Sequence, residues 1–164
     1  MEYEALGENF NNRGKRSEEQ IDVLRKLWAE EAVTYDGTWH KITDAGLNPL
    51  PANKSIPIWL GGMAPQVIDR VGRLADGWFP FANKDLANQI EQVREVARRA
   101  GRDPESIGIE CIVPTDTDAD RLKSLQEIGV NHVAMVTMNQ ELADPAAHIG
   151  AISSARDVLA AAFG

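Results

Sequence analysis

The chain has 164 residues, 43% of them apolar and 26% charged, a balance that supports a packed core and excludes the weakly hydrophobic, highly charged composition of disordered segments. Its 17 basic and 25 acidic side chains give a formal charge of −8. No stripe of Lys and Arg interleaves with aromatic residues, so nucleic acid is not an expected partner. The longest mostly apolar stretch is too short to cross a bilayer, and the N-terminus lacks a basic region followed by an apolar core, so no membrane association is expected and the expected compartment is the cytoplasm.

Residues 1–16 are polar, carry Gly7 and Gly14, and show neither helical nor strand periodicity, so they read as a loop. Ser17 and Gln20 have the spacing of a capping box. A helix is expected from there to about Glu31, with Ile21, Leu24, Leu27 and Trp28 on one face. Val33–Tyr35 and Trp39–Ile42 flank Asp36-Gly37, a pair suited to the positive φ angles of a tight hairpin turn. Residues 47–51 (LNPLP) read as extended coil, because prolines withhold ladder donors.

From residue 56 the pattern changes to alternating strands and helices. Ile56–Leu60 is an apolar run ended by Gly61-Gly62, and the following helix places Val67, Ile68, Val71 and Leu74 at helical spacing. Gly77–Phe81 precedes a helix over 84–100 with Ile90, Val93, Val96 and Ala97 inward. Ile107–Val113 precedes a helix over 119–128, and His132–Thr137 precedes a last helix over 145–163 that uses Ile149, Ile152, Leu159 and Phe163. Four strands, each apolar and each followed by a helix, predict a parallel sheet covered by helices. An open doubly wound sheet and part of a closed barrel give the same pattern, and both bind ligands at the carboxyl ends of the strands.

Gly61-Gly62 therefore stands where backbone amides at a helix N-terminus can meet an anion, although two glycines also make an ordinary tight turn. Trp78 and Phe79 must point to opposite faces of their strand, so one of them can meet a flat ring or both can be core. His40, His132 and His148 share no metal-ligand spacing, and no metal is expected. Asp116, Asp118 and Asp120 lack the glycine and closing glutamate of a calcium loop and read as a helix cap. Arg98, Arg99 and Arg102 read as the solvated C-terminal end of a helix. Cys111 has no partner for a disulfide and no basic neighbour in sequence, and reads as a buried structural thiol.

The segments RGKRSEEQIDVLRKLW, VTYDGTWHKI, LNPLP, IPIWLGGMAPQVIDRVGRLADGWFPF, AGRDPESI and GVNHVAMV, in this order, resemble luciferase-like monooxygenases. The likeness is greater to the deazaflavin (coenzyme F420)-dependent branch than to the FMN branch, because Met63-Ala64-Pro65 follows the glycine pair where FMN members often have a serine. The resemblance implies an α/β fold: the C-terminal half of a TIM-type (β/α)8 barrel, with four parallel strands, their helices and a small β-hairpin, in one domain over 1–164. It implies that the match begins after the family's fourth strand, and that the earlier strands normally hold the isoalloxazine-like ring and most of the substrate.

It further implies cofactor contacts at Gly61, Gly62, Met63, Ala64, Gly77, Trp78, Phe79 and Arg13, with no acid, base or nucleophile identifiable in this chain. The expected cofactor is coenzyme F420 in the first place, or FMN, and the expected function is hydride exchange with a small organic substrate. The alternative is a catalytically inactive half-barrel that self-associates without cofactor. A half-barrel exposes two sheet edges, so a homodimer, or association with the absent N-terminal half, is expected.

Overall fold

The computed structural model describes residues 2–163 and divides the chain into two compact units, Met1–Ile58 and Trp59–Gly164.

The first unit begins with a short helix, α1 (Glu2–Ala5), a 3₁₀ turn (Phe10–Asn12), and the long helix α2 (Arg13–Ala29). The expected loop over 1–16 is thus partly helical. Ser17 lies inside α2 rather than at its start, so the expected capping box does not form. Asn9 caps the 3₁₀ turn by accepting from the Asn11 amide at 2.9 Å, and α2 continues directly from that turn. Local side-chain capping earlier in the chain displaced the helix start upstream.

The ribbon of β1 (Val33–Asp36) and β2 (Lys41–Ala45) is antiparallel as expected, but its turn is longer. Asp36 pairs with Lys41, and the Gly37 amide donates to the His40 carbonyl at 2.9 Å. Positive φ is found at Asp44 rather than at the Asp36-Gly37 pair. The reason is Glu19 of α2, whose carboxylate accepts from the amides of Thr38, Trp39 and His40 at 2.7–2.9 Å and from His40 Nδ1 at 2.9 Å. A β-carbon on Gly37 would strike Glu19 and Tyr35, so glycine serves here by its absence of bulk.

In the second unit β3 (Trp59–Gly61), β4 (Gly77–Phe79), β5 (Gly108–Pro114) and β6 (His132–Val136) form one parallel sheet in the order β3-β4-β5-β6. Helices α3 (Pro65–Leu74), α4 (Leu86–Arg99), α5 (Ala119–Glu127) and α6 (Pro145–Phe163) follow them in turn. β3 starts three residues later than its apolar run, because Pro57 cannot donate to a ladder and Ile56 is exposed. β4 likewise stops before Pro80.

The core lies between the sheet and its helices, where Trp78, Ile109, Cys111 and Val113 meet Ile68, Val71, Ile90, Val93, Leu122 and Leu125. Cys111 is fully buried, and burial pushes its thiol up to about 11, as suits a structural residue. Asp118 caps α5 by accepting from the Arg121 amide at 2.7 Å, as the acidic cluster suggested.

Two expectations change. Arg102 is no solvated helix end: its guanidinium donates to the carbonyls of Gly72 at 2.8 Å, Ala75 at 2.6 Å and Val71 at 3.3 Å, closing the C-terminal turn of α3. The Val71 carbonyl also accepts from the Ala75 amide at 3.0 Å, and the last carbonyls of a helix lack intrahelical donors, so a planar fork can satisfy several at once. In α6 the residues turned to the core are Ala155, Val158 and Leu159, whereas Ile149, Ile152 and Phe163 are exposed.

Replacing Arg102 by Ala should lower stability by about 2–4 kcal/mol, since charge-assisted bonds to buried-side carbonyls are lost together. Urea unfolding checks this, and a change below about 0.5 kcal/mol, the usual range of surface substitutions, would show that water replaces the guanidinium at no cost. A second outcome concerns pH. Burial raises the Glu19 carboxyl, but the donors from Trp39, His40 and Thr38 outweigh it and hold the group at about 2. A depressed folded pKa gives stability that is present above the ordinary value of 4.5 and is lost as pH falls towards 2. Glu19→Gln should flatten the pH dependence of the ribbon's amide exchange in that window.

Candidate functional site

The carboxyl ends of β3 to β6 carry the features expected of a ligand site. Gly61 closes β3 with open space where a β-carbon would project, so a ligand can approach its backbone closely. Gly62 follows with φ +105°, a conformation that glycine alone adopts without strain. Met63 and Ala64 lead into α3, whose N-terminus starts with Pro65 and receives no side-chain cap. Amides there point away from the helix along its positive end.

The turn is held from the neighbouring strand. Trp78 is fully buried on the helix side of β4, and its indole Nε1 donates to the Gly62 carbonyl at 2.8 Å. Asn83, beyond β4, is placed with its amide 3.8 Å from Met63 Sδ and 3.1 Å from the Phe81 carbonyl, and it accepts from the Asp85 amide. Asn83 was missed because an asparagine in a polar loop carries no sequence signal for a tertiary contact.

Phe79 points to the opposite face, is 38% exposed, and lies 5.1 Å from the Trp59 ring. Trp59 itself lies across the amino ends of the strands. β-Carbons on Gly77 and Gly108 would collide with its indole, and His132 meets it edge-on at 5.4 Å. Gly77 thus belongs to the floor of this face, two residues below Phe79. The structure brings Gly61, Gly62, Met63, Ala64, Gly77, Trp78 and Phe79 together around β3 and β4. Arg13 lies in the first unit, where its guanidinium stacks 3.6 Å from the Phe10 ring and donates to the Phe10 carbonyl.

A second polar group stands at the ends of β5 and β6. Buried Thr115 donates to Gln140 Oε1 at 2.6 Å, Gln140 Nε2 donates to Asp116 at 3.1 Å, and His148 Nδ1 is 2.7 Å from Thr137 Oγ1. Asn139 and Glu141, on either side of Gln140, have φ of 61° and 52°. These contacts pin the β6–α6 loop to β5. Among the described residues no group of three His, Cys, Asp or Glu side chains is placed to hold a metal ion.

A cavity of about 550 Å³ opens at the other end of the sheet, lined by Leu122, Leu125, Asn131, His132 and Leu159 among others. Arg94 and Glu105 on its wall pair with each other at 3.1 Å. Conservation of chemistry at the opposite, carboxyl end in barrel enzymes argues against this cavity as the reaction site.

A family model described as luciferase-like monooxygenase matches residues 1–160. The F420-dependent glucose-6-phosphate dehydrogenase of Mycolicibacterium gilvum is 31% identical over 124 residues, covering 72% of this chain and 37% of that protein. The 5,10-methylenetetrahydromethanopterin reductase of Methanolobus tindarius is 27% identical over 153 residues, covering 88% of this chain and 46% of that protein. This chain therefore spans less than half the length of these relatives. Among solved structures, an F420-dependent secondary alcohol dehydrogenase in complex with an F420–acetone adduct superimposes with a TM-score of 0.79 at 19% identity, covering 99% of this chain and 66% of that one. A long-chain alkane monooxygenase superimposes with a TM-score of 0.56 at 16% identity, covering 73% and 34%. At these identities the structural likeness shows the fold.

Trp78→Phe keeps an aromatic ring but leaves a small cavity and the Gly62 carbonyl without its donor. It should cost about 1–3 kcal/mol through the unsatisfied acceptor and the cavity together, and should speed amide exchange at Gly62, Met63, Ala64 and Gln66. Unchanged exchange there would show that the turn holds its shape without the indole.

Proposed function

The chain belongs to the luciferase-like monooxygenase family, and on that premise we propose that it supplies the phosphate-side half of the cofactor site in a deazaflavin- or flavin-dependent oxidoreductase. The observation that carries this reading is the Gly61-Gly62 turn, with open space at Gly61, φ +105° at Gly62, and an uncapped helix N-terminus behind it. These features fit a phosphate-bearing cofactor: bare backbone at the point of approach, donors aimed outward, and no carboxylate in the turn itself. Gly61, Gly62, Met63 and Ala64 would hold the phosphate side, Trp78 would fix the turn from behind, and Phe79 would present its exposed face to the flat ring.

Coenzyme F420 is the first choice, supported by the names of the dehydrogenase and reductase relatives, with FMN second. When bound, such a group supplies hydride transfer to or from an organic substrate, and the protein contributes position and electrostatics. The part played by this chain is to bind and orient. Its Gly turn seats negative charge, and the Thr115–Gln140–Asp116 and Thr137–His148 contacts fix the loop that borders the same face. The substrate is a small organic molecule, and the reaction is completed by groups that neighbour this half in the full barrel.

Titration of the chain with F420 and with FMN, followed by absorbance and fluorescence, tests the reading. Saturable micromolar binding of either supports it, with F420 the tighter. Absence of binding at millimolar concentration would favour the alternative, a half-barrel without cofactor. Gly61→Asp is the sharper variant, because the β-carbon enters open space and φ is not positive there, so the fold is retained while a negative charge meets the phosphate. Affinity should fall at least about tenfold, or roughly 1.4 kcal/mol. Equal affinity in a folded variant would place the phosphate elsewhere.

A further inference from the structure

We propose that Glu110 and His132, side by side on the face of the sheet turned away from the helices, bind the hydrogen-bond-donating end of the substrate, a hydroxyl or a protonated amine. The register places them. Gly61 pairs with Phe79 across β3 and β4, Trp78 with Ile109 across β4 and β5, and Glu110 with His132 across β5 and β6. Continued by one residue, the middle pairing sets Phe79 beside Glu110. One row then crosses all four strands: Gly61, Phe79, Glu110, His132. Because β3 and β4 are each 3 residues long, this row lies at their carboxyl ends, level with the glycine turn.

The row shares one face. Leu60, Trp78, Ile109 and Val133, the sequence neighbours of its members, belong to the core under the helices or pack against it. By the alternation of a strand, Phe79, Glu110 and His132 turn to the opposite side. There the Trp59 ring meets Phe79 at 5.1 Å and His132 edge-on at 5.4 Å. In a (β/α)8 barrel that side is the interior, filled mainly by branched apolar side chains. Ile112, next on this side of β5, conforms to that rule. A half-buried carboxylate and an imidazole beside it do not.

The hydrogen bonding of the pair determines what it can recognise. Asn131 Oδ1 accepts from the Ile109 amide at 2.8 Å, so it is the amide oxygen that stands 2.8 Å from His132 Nδ1. Nδ1 therefore carries the ring hydrogen, and Nε2 of the neutral ring is left as an acceptor. An ionised carboxylate is likewise an acceptor only. Two acceptors beside an aromatic ring suit a ligand that offers donors, and they reject a carboxylate or a phosphate. The row is thus ordered, with bare backbone suited to an anion at β3, the Phe79 ring in the middle, and acceptors at β5 and β6. A role for the pair towards substrate rests on the oxidoreductase reading above, whereas donor binding at the row does not.

Proton–nitrogen NMR of the whole chain, recorded with benzylamine, benzyl alcohol and benzoate and with no cofactor, provides the test. The three probes share a ring and differ in their polar end. Nε2 of neutral His132 should show the nitrogen shift of an unprotonated atom. Both donor probes should move the His132 ring and Glu110 amide signals saturably, with benzoate bound at least about tenfold more weakly. Glu110→Gln, which preserves shape, should lower benzylamine affinity at least about tenfold. His132→Phe, which keeps an aromatic edge against Trp59, should weaken both donors. Equal affinity for benzoate and benzylamine overturns the proposal, as does unchanged benzylamine affinity in folded Glu110→Gln. A parallel titration with F420 and FMN separates the two failures. A chain that binds the donor probes but neither cofactor keeps the row and removes the oxidoreductase reading, whereas cofactor binding with no response of His132 to either donor keeps that reading and overturns the row.

Discussion

The indole of Trp59 lying over Gly77 and Gly108 is the contact on which the second unit depends. Trp59, Gly77 and Gly108 are the first residues of three adjacent strands, in register across the sheet. One large ring fills what three side chains would fill elsewhere, and the two glycines are the space it occupies. Any β-carbon at either position forces the ring out, and with it the Phe79 and His132 rings that pack against its faces and edge. Packing of this density transmits displacement rather than absorbing it. The floor therefore sets how β3, β4 and β5 align, and their alignment sets where the glycine turn emerges.

On the other face the same strands are fixed by Trp78, whose ring is buried in the core while its nitrogen reaches the Gly62 carbonyl. Two adjacent residues of β4 thus serve opposite surfaces: Trp78 locks the back of the turn and Phe79 lines its front. The alternation of strand side chains makes this division compulsory. It also separates two duties. Residues at the amino ends of the strands and beneath them, Trp59, Gly77, Gly108 and Arg102, hold the architecture, whereas the carboxyl ends offer bare backbone and polar side chains.

Much of this order was legible in the sequence. The alternation of apolar runs with helical periodicity located four strands and four helices, and α6 matched its expected bounds, because local period is what secondary structure responds to first. The misreadings have two causes. Ser17-Gln20 has the form of a capping box, yet Asn9 and the 3₁₀ turn began the helix earlier; Asp36-Gly37 has the form of a two-residue turn, yet Glu19, seventeen residues upstream, supplied acceptors for a longer one. Arg102 looked like a solvated cation and proved to cap α3. For Glu19 and Arg102 a side chain distant in sequence satisfied backbone groups, and pattern rules see only neighbours; Asn9 acted locally, on the amide two residues on. The glycine pair of the site was visible as residues, but its open space, its φ and the indole behind it required coordinates.

The exposed isoleucines of α6 follow from the same logic. Ile149, Ile152 and Leu159 share helical spacing, and spacing alone assigns them all to one buried stripe. The helix instead divides its apolar residues between a face that meets the core, at Ala155, Val158 and Leu159, and a flank where Ile149 and Ile152 are exposed. In a (β/α)8 barrel each outer helix meets another helix on either flank while its inner face meets the strands. The exposed isoleucines of α6 and the edge of β6 that faces away from β5 thus lie on consecutive elements.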